Sequence, residues 1–517
     1  RQMCIRDSIR CQFIGEKMDL LNNVLYGFQI SLQPINLFYC LIGVILGTLT
    51  GVLPGLGPSG TIAILLPITF HAPAVSSIIM LAGIYYGAMY GGSTTSILVS
   101  IPGEPASIVT CLDGHQMARQ GRAGPALGIS AFGSFIAGTT GIIGLMLIAY
   151  PLANMALKFG PPEYFSLMIL GLIILIYLTQ KSLIKAISMG AFGLLLSFVG
   201  LDIVTGQMRF TFHIDELLDG VGIVPIGMGL FGVAEVLENL EKTEGVKLFE
   251  THIKGILPSL KDWADSIWAI IRGTIIGFFL GILPGGGAIL SSFVSYAVEK
   301  RVSKHPEKFG KGVIEGVAGP ESANNAASST GFIPLLTLGI PANVVMAMVF
   351  AGLMIHNITP GPLLLKDHPD VFWGVITSMY TGNVMLLILN LPLIGMWVQI
   401  TKLPFRLLFP LIILFCAVGV YSINNSVFDI WIMIIFGVIG YFMKKCGYEP
   451  APLTLAYVLG PMVEHALRQS LIISNGNITI FLVRPISCAS LAVGVFLLVT
   501  AFTGFAKQKR LKVVKQE

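Results

Sequence analysis

A glycine- and proline-rich motif occurs twice in this chain, at residues 47–57 and again 230 residues later at 277–287. The first copy reads GTLTGVLPGLG and the second reads GFFLGILPGGG, so the pattern G-x3-G-aliphatic-Leu-Pro-Gly-x-Gly recurs with unchanged internal spacing. A motif repeated in this way inside hydrophobic sequence indicates that the chain consists of two related halves.

Each copy of the motif predicts a closely packed helix that ends abruptly. Small residues at positions i and i+4 of an apolar helix let a second helix approach closely. The Pro-Gly-x-Gly segment then breaks the helix, because proline lacks a backbone donor and glycine adopts conformations closed to other residues. Within a membrane the freed backbone groups must be buried in protein or line a wet cavity, and matching breaks in two halves are typical of a transporter binding site.

The composition is typical of a membrane protein. Hydrophobic residues make up 54% of the 517 residues and charged residues 11%, against roughly 25% charged residues in soluble domains. No Asp, Glu, Lys or Arg occurs between Leu20 and Gly103. The apolar runs predict an all-α polytopic membrane protein with about twelve spans, some of them discontinuous helices. The net charge of +5 arises in short loops between these runs, which argues against nucleic-acid binding.

Loop charges predict how the two halves face the membrane, because short cytoplasmic loops carry excess Lys and Arg. After the first motif and one helix, the chain turns at His71 without a fixed charge, whereas the corresponding turn at residues 300–311 carries five Lys or Arg side chains. The same turn is therefore expected on opposite sides, which predicts two inverted-topology repeats. Parallel repeats remain the alternative, since charge bias orients a whole chain more firmly than a single loop.

The same patterns predict the domain boundaries. Residues 18–240 are expected to form the first transmembrane half, 241–262 a charged cytoplasmic linker, 263–506 the second half and 507–517 a basic cytoplasmic tail. Residues 1–17 lack an initial Met and the apolar core of a signal peptide, so they are expected to be a non-native or disordered extension.

A polar, small-residue stretch follows each Pro-Gly-x-Gly segment and leads to an Ile-Pro pair, at 91–102 in the first half and at 320–341 in the second. Hydroxyl and amide side chains compete with helical backbone bonds, which predicts unwound segments that contact substrate or ion. Tight helix packing is the alternative reading. The predicted contact residues are Ser93, Thr94, Thr95, Ser96, Asn324, Asn325, Ser328, Ser329 and Thr330. The predicted site-shaping breaks are Pro54, Gly55, Gly57, Pro102, Pro284, Gly285, Gly287 and Pro341.

Few charged residues accompany these stretches, so each one carries a separate hypothesis. Glu104 and Glu321 either face the site or cap a half-helix. Glu464 and Arg468 stand four residues apart, which predicts an ion pair on one helix face, with substrate recognition by Arg468 as the alternative. The Asp113-Gly114-His115 segment predicts a loop turn.

Enzyme chemistry is not indicated. The chain contains no G-x-S-x-G, H-E-x-x-H or Walker Gly-Lys-Ser/Thr motif, so neither hydrolysis nor ATP-driven transport is predicted. Its seven cysteines are scattered without ligand spacing, so no cofactor and no metal beyond a possible Na⁺ is expected. Any active transport must therefore be coupled to an ion or assisted by another subunit.

Six segments resemble motifs of the large membrane subunit of the tripartite tricarboxylate transporters, the TctA-type permease family. They read GVLPGLGPSGTIAILLP from Gly51, IYYGAMYGGSTTSILVSIPGEPAS from Ile84, LDGHQMARQGRAGPALG from Leu112, GPESANNAASSTGFIPLLTLGIP from Gly319, IHNITPGPLLL from Ile355, and LGPMVEHALRQSLIISNGN with the later RPIS from Leu459. The resemblance extends from Met18 to about Ala506.

The resemblance implies a multi-pass permease of the bacterial inner (plasma) membrane. Its implied partners are a small four-span membrane subunit and an extracytoplasmic solute-binding protein that delivers a carboxylate such as citrate. Uptake of a di- or tricarboxylate by symport with Na⁺ or H⁺ is the implied function. A carboxylate-selective channel or an uncoupled facilitator is the alternative.

Overall fold

The computed structural model describes residues 20–53, 57–178, 182–202, 205–241, 255–283, 285, 287–400 and 405–502. The predictions for residues 1–17 and 507–517, and for most of the linker, lie outside this part of the chain. The described residues are almost entirely helical, as predicted. One two-stranded antiparallel hairpin, Gly200–Leu201 with Met208–Arg209, is the only sheet that they form.

The longer helices of the first half follow a short helix at residues 20–31. They are α1 (Pro34–Val52), α2 (Gly57–Thr69), α3 (Ala74–Val99), α4 (Ile108–Arg119), α5 (Ala123–Ala156), α6 (Pro161–Leu178), α7 (Leu183–Ser197) and α8 (Ile223–Glu241), the last with a π-helical segment at Met228–Val233.

The second half continues with the same kinds of element. Its longer helices are α9 (Leu260–Ile282), α10 (Gly287–Val302), α11 (Glu315–Thr330), α12 (Phe332–Leu338), α13 (Val344–Ile355), α14 (Pro369–Asn390), α15 (Ile394–Ile400), α16 (Phe405–Asn424), α17 (Val427–Lys445), α18 (Pro450–Ile473) and α19 (Pro485–Phe502), and two four-residue helices lie at Leu364–Asp367 and Ile480–Val483.

Seven of the described helices are long and apolar enough to cross a membrane. These are α1, α3, α5, α8, α9, α14 and α17, and six shorter apolar stretches of 10–17 residues accompany them. The all-α polytopic fold class agrees with this finding. The number of twelve spans stays a prediction, because helices shorter than 18 residues do not by themselves establish a crossing.

Glycine-mediated packing of one helix pair recurs in both halves. In the first half, α1 lies against α3 so closely that a Cβ added to a glycine of α1 meets the backbone of α3, with the pairs Gly43–Met80, Gly47–Ile84 and Gly51–Ala88. In the second half, α9 lies against α11 in the same way, with the pairs Gly273–Gly319, Gly277–Ala323 and Gly281–Ala327. The close approach predicted from the repeated motif is therefore confirmed.

The spacing of these pairs shows how the two halves correspond. Each glycine of α9 lies 230 residues after its counterpart in α1, and each partner in α11 lies 239 residues after its counterpart in α3. The nine additional residues fall between Gly287 and Gly319, in the part of the chain that contains the basic loop. The chain thus contains one packing unit twice, with a longer connection in the second copy.

The predicted helix breaks are found at the repeated motif. Helices α1 and α9 end at Val52 and Ile282, and the chain resumes helical structure at Gly57 and Gly287. Gly57, Gly285 and Gly287 have φ angles of 59°, 80° and 50°, a region that favours glycine. Pro54, Gly55 and Pro284 lie outside the described residues.

A second break follows each polar stretch, directly after α3 in the first half and after α12, the helix that follows α11, in the second. Helix α3 is followed by Ser100 with φ 60°, and α12 by Gly339 with φ 72°. Both left-handed residues precede the predicted Ile-Pro pairs, so Pro102 and Pro341 lie just beyond the ends of helices.

The prediction that the polar stretches themselves are unwound is wrong. Residues 93–96 lie inside α3, and residues 324–330 lie inside α11. The physical reason is that the hydroxyls find acceptors without unwinding the helix. Ser329 and Thr330 donate to Asn325 O at 3.1 Å and Ala326 O at 3.0 Å of their own helix. Thr95 donates to Gly51 O of the neighbouring α1 at 3.1 Å. Such bonds satisfy a hydroxyl in an apolar setting without opening the helix.

Candidate functional site

Helices α3 and α11 bring the two polar stretches into the protein interior. All nine predicted contact residues are at most 3% exposed. Burial alone is also compatible with a packing role. The hydrogen bonds between the two halves show which of these residues come together in one site.

Glu321 of α11 is fully buried and is held by hydroxyl groups of the other half. Ser93 Oγ of α3 donates to one carboxylate oxygen, and Thr110 Oγ1 of α4 donates to the other. The role of Thr110 was not predicted, because no sequence pattern distinguishes it from the other threonines of apolar helices. The carboxylate therefore joins two helices of the first half to one helix of the second.

Glu104 both caps a helical turn and reaches the second half. One oxygen of its buried carboxylate accepts a hydrogen bond from Ala106 N at 2.6 Å, in a capping box with Ser107. The other oxygen accepts a hydrogen bond from Asn324 Nδ2 of α11 at 3.2 Å. The two roles considered for this residue thus occur together.

A matching crossing joins the halves in the reverse direction. Asn343, 239 residues after Glu104, caps α13 by accepting a hydrogen bond from Met346 N at 3.0 Å. Its amide nitrogen donates to Tyr85 Oη at 3.0 Å, and Tyr85 lies 239 residues before Asn324. In each half, therefore, one residue caps a helix of its own half and also hydrogen-bonds to the long polar helix of the other half.

A small cavity adjoins this centre. Its lining is formed by α3, α5, α14 and α15, and its volume of about 10 Å³ leaves room for about one water molecule. Polar groups line one part of it, namely Tyr90, Ser93, Thr94, Ser130 and Asn390. Asn390 Oδ1 is buried without a hydrogen-bond partner. Ser93 therefore connects the cavity to the Glu321 carboxylate.

The remaining predicted contact residues bond mainly to their own surroundings. Asn325 Nδ2 donates to Ser134 Oγ at 2.7 Å, and Ser96 Oγ donates to Ser107 Oγ at 2.9 Å. Thr95 donates to Gly51 O of α1 at 3.1 Å. Ser328 and Thr330, like Ser329, donate to carbonyls of α11. These contacts fit the packing role that the sequence left open for part of each stretch.

Arg468 belongs to a separate ion-pair cluster. It contacts Glu464 at 2.7 Å, which confirms the predicted pair, and Asp202 at 2.8 Å. Arg209 of the hairpin also contacts Glu464 at 2.7 Å. The cluster fastens the hairpin to α18. Asp202 and Arg209 could not be predicted as members of this cluster, because they lie more than 250 residues from their partners.

Asp113 departs from its prediction as a turn residue. It lies inside α4 and is fully buried. Its carboxylate accepts hydrogen bonds from Tyr296 Oη at 2.9 Å and from backbone N–H groups of the loop before α11, among them Gly312 at 2.8 Å and Val313 at 2.9 Å. Asp113 therefore holds the basic loop of the second half against the first half.

No metal centre of the usual kind is formed by the described residues, which contain no group of three or more His, Cys, Asp and Glu side chains suited to a metal ion. The polar centre instead offers carboxylate, amide and hydroxyl oxygens. Such oxygens suit alkali cations in broken-helix transporters.

Comparison with known proteins identifies relatives of the whole chain. Residues 37–455 match the family described as the tripartite tricarboxylate transporter TctA family. An uncharacterized 52.8 kDa protein of Agrobacterium vitis, in the TAR-I ttuC' 3' region, is 52% identical over 500 residues, which cover 97% of this chain and all of that protein. An uncharacterized Methanocaldococcus jannaschii protein is 22% identical over 410 residues, covering 78% of this chain and 91% of its own length. No solved structure matches the chain significantly.

Proposed function

The chain belongs to the tripartite tricarboxylate transporter TctA family, and on this premise we propose that it is the permease subunit of a binding-protein-dependent secondary transporter. The proposed cargo is a citrate-like di- or tricarboxylate, imported with Na⁺ or H⁺. The proposed partners are a small four-span membrane subunit and an extracytoplasmic solute-binding protein, and the proposed location is the bacterial inner membrane.

The buried Glu321 carboxylate, held across the halves beside the cavity, carries the proposal. A site between two halves of a transporter is where relative movement exposes a ligand alternately to the two sides. The cavity has room for about one water molecule in this conformation, so the proposal requires the halves to move apart and widen it. Its hydroxyl and amide groups suit the carboxylate and hydroxyl oxygens of such a cargo. Ser93 belongs to both the cavity and the Glu321 contact, so cargo and carboxylate share one hydrogen-bonding group.

Charge favours coupled transport over an anion channel. Rings of Lys or Arg are typical of anion pores, whereas the centre described above contains Glu104 and Glu321. An anionic cargo that binds next to these carboxylates requires accompanying positive charge. Cotransported Na⁺ or H⁺ supplies that charge, which is the physical reason to prefer symport.

The proposed topology has about twelve spans in two inverted halves, residues 18–240 and 263–506. The recurring glycine packing and the reciprocal crossings support the two-half division. The asymmetry of the basic loops supports the inversion. Single cysteines at Ala72 and Ser303 are expected to react with an impermeant thiol reagent from opposite sides of the membrane, and reaction from the same side contradicts inversion.

Uptake into vesicles tests the proposed function. The chain is reconstituted with the small subunit and supplied with purified binding protein and a radiolabelled carboxylate. Accumulation above equilibrium is expected only with an imposed Na⁺ or proton gradient. Uptake that is unchanged after both gradients are collapsed rejects coupling and supports the uncoupled facilitator or channel.

A further inference from the structure

We propose that the coupling cation, either Na⁺ or a proton, binds at the Glu104–Asn324 crossing and not at the equivalent Asn343–Tyr85 crossing. This inference rests on the proposed function, because it assigns the coupling ion of that transporter to named residues. Its basis is the geometry of the two crossings, which differ in charge and in hydrogen bonding.

Two buried carboxyl groups without a positively charged partner lie at the first crossing and beside it. Glu104 is 4% exposed and Glu321 is fully buried. None of the ion pairs formed within the described part of the chain includes either residue. Their hydrogen-bond donors are neutral, namely hydroxyls, a backbone N–H and an amide. Burying a carboxylate without a positive partner is strongly unfavourable, so a proton or a metal cation is needed at this place.

An unused oxygen lies at the same crossing. Asn324 is fully buried, its Nδ2 donates to Glu104, and its Oδ1 has no hydrogen-bond partner. Because both atoms belong to one amide group, the free oxygen stands beside the Glu104 carboxylate. A carboxylate with an adjacent amide oxygen suits a hard cation, and a protonated Glu104 provides the donor that the amide oxygen lacks.

The equivalent crossing in the other half offers neither a carboxylate nor a free amide oxygen to a cation. Asn343 replaces the carboxylate, and its Oδ1 and Nδ2 are both hydrogen-bonded. Tyr85, in place of Asn324, is a neutral phenol that accepts from Asn343. The duplication therefore supplies an internal comparison in which one crossing is charged and under-bonded and the other is neutral and satisfied.

The arrangement also connects the cation to the cargo. Asn324 and Glu321 stand three residues apart on α11, which places them on neighbouring positions of one helix face. Glu321 accepts from Ser93, and Ser93 lines the cavity. A cation at Glu104 and Asn324 thus lowers the negative charge next to the place where an anionic cargo binds.

Direct cation binding by the purified full-length chain, in lipid nanodiscs and without carboxylate, tests the inference. One measurement follows binding of radioactive Na⁺ at constant pH, and the other follows proton uptake on acidification in Na⁺-free buffer. The matched variants are Glu104→Ser and Asn343→Ser, because the serine hydroxyl can take over the capping role of the carboxylate oxygen in one case and of the amide oxygen in the other, and only the first variant removes a carboxylate. Glu104→Gln is the substitute where Glu104→Ser fails to fold, as judged by size-exclusion chromatography.

We expect the Glu104 variant, and likewise Asn324→Ala, to bind Na⁺ at least roughly tenfold more weakly than the native chain, while Asn343→Ser and Tyr85→Phe bind it normally. If the native chain binds no Na⁺, the proton assay is expected to show loss of proton uptake in Glu104→Ser alone. Unchanged binding of both ions in Glu104→Ser, or equal loss in Glu104→Ser and Asn343→Ser, overturns the inference. Normal cation binding without gradient-driven carboxylate uptake rejects the proposed function and leaves the site intact.

Discussion

Substitution of the central glycine by alanine in either packed helix pair tests whether the stability of that half depends on direct contact between helix backbones. A Cβ at Gly47 stands 2.5 Å from Ile84 O and 2.8 Å from Ile84 Cα. A Cβ at Gly277 stands 2.8 Å from Ala323 Cα and also meets Ala323 O. Ordinary Cβ contacts lie at 3.4–4 Å, so each substitution forces its helices apart by roughly 1 Å, and backbone atoms cannot rotate away as a side chain does.

Overpacking of this size is expected to lower the free energy of unfolding by about 1–3 kcal/mol for each single variant. The two variants touch different halves, so their effects are expected to add in the double variant within roughly 0.5 kcal/mol. Gly395→Ala is the control, because a Cβ there has no heavy atom within 4 Å.

The assay is thermal unfolding of the purified chain in one detergent, followed by size-exclusion chromatography of the heated samples. We expect Gly47→Ala and Gly277→Ala each to lower the apparent Tm, and Gly395→Ala to leave it unchanged or to raise it slightly. If either glycine variant unfolds at the native temperature, the close backbone packing described for that half is wrong.

Three further predictions concern single polar side chains. Glu321→Gln is expected to reduce coupled uptake at least roughly tenfold, because only one of the two terminal atoms of an amide can accept a hydrogen bond, and Ser93 and Thr110 need two acceptors. Glu307→Gln, at an exposed position, is the control. Equal uptake by the two variants contradicts a role for Glu321. Asp113→Ala is expected to lower the free energy of unfolding by roughly 2–5 kcal/mol, measured by the same thermal assay, since several N–H and O–H donors lose their acceptor; native stability refutes it. Arg468→Gln is expected to destabilise the hairpin attachment, measured as faster proteolysis near residues 200–209, while uptake per folded molecule stays normal; loss of uptake at normal folding instead supports substrate recognition by Arg468.

Local features of the fold could be predicted from the sequence because their causes are local. Small residues four apart indicate close helix approach wherever the partner lies, and Pro-Gly-x-Gly interrupts a helix regardless of tertiary context. Glu464 and Arg468 share one helix face, so their ion pair required no knowledge of the fold. The duplicated polar stretches placed Ser93 and Asn324 in one candidate site and left Glu321 between a site role and a capping role.

Other parts of the site depend on contacts between distant residues. Thr110 lies 211 positions from Glu321, and a lone threonine in an apolar helix has no pattern that names such a partner. Unwinding of the polar stretches was predicted wrongly because propensity ranks Ser and Thr as weak helix formers. In the buried helices their hydroxyls bond either to carbonyls of the same helix, as at residues 328–330, or to groups of neighbouring elements, as at residues 93–96. Asp113 was read as a turn because Asp-Gly is typical of turns, and the loop that it binds stands nearly 200 residues away.

The glycine contacts between α1 and α3, and between α9 and α11, have a mechanical consequence. Backbone pressed on backbone leaves no side chains that can change rotamer, so each helix pair moves as one stiff piece. The contacts between the two helix pairs are different, because they include side-chain hydrogen bonds such as those of Ser93 and Asn324. Side-chain hydrogen bonds of this kind can change partners by rotation of a side chain, which a backbone contact cannot do. If one half slides past the other in the proposed transport cycle, we expect the movement to concentrate in that layer while the stiff pieces keep their shape.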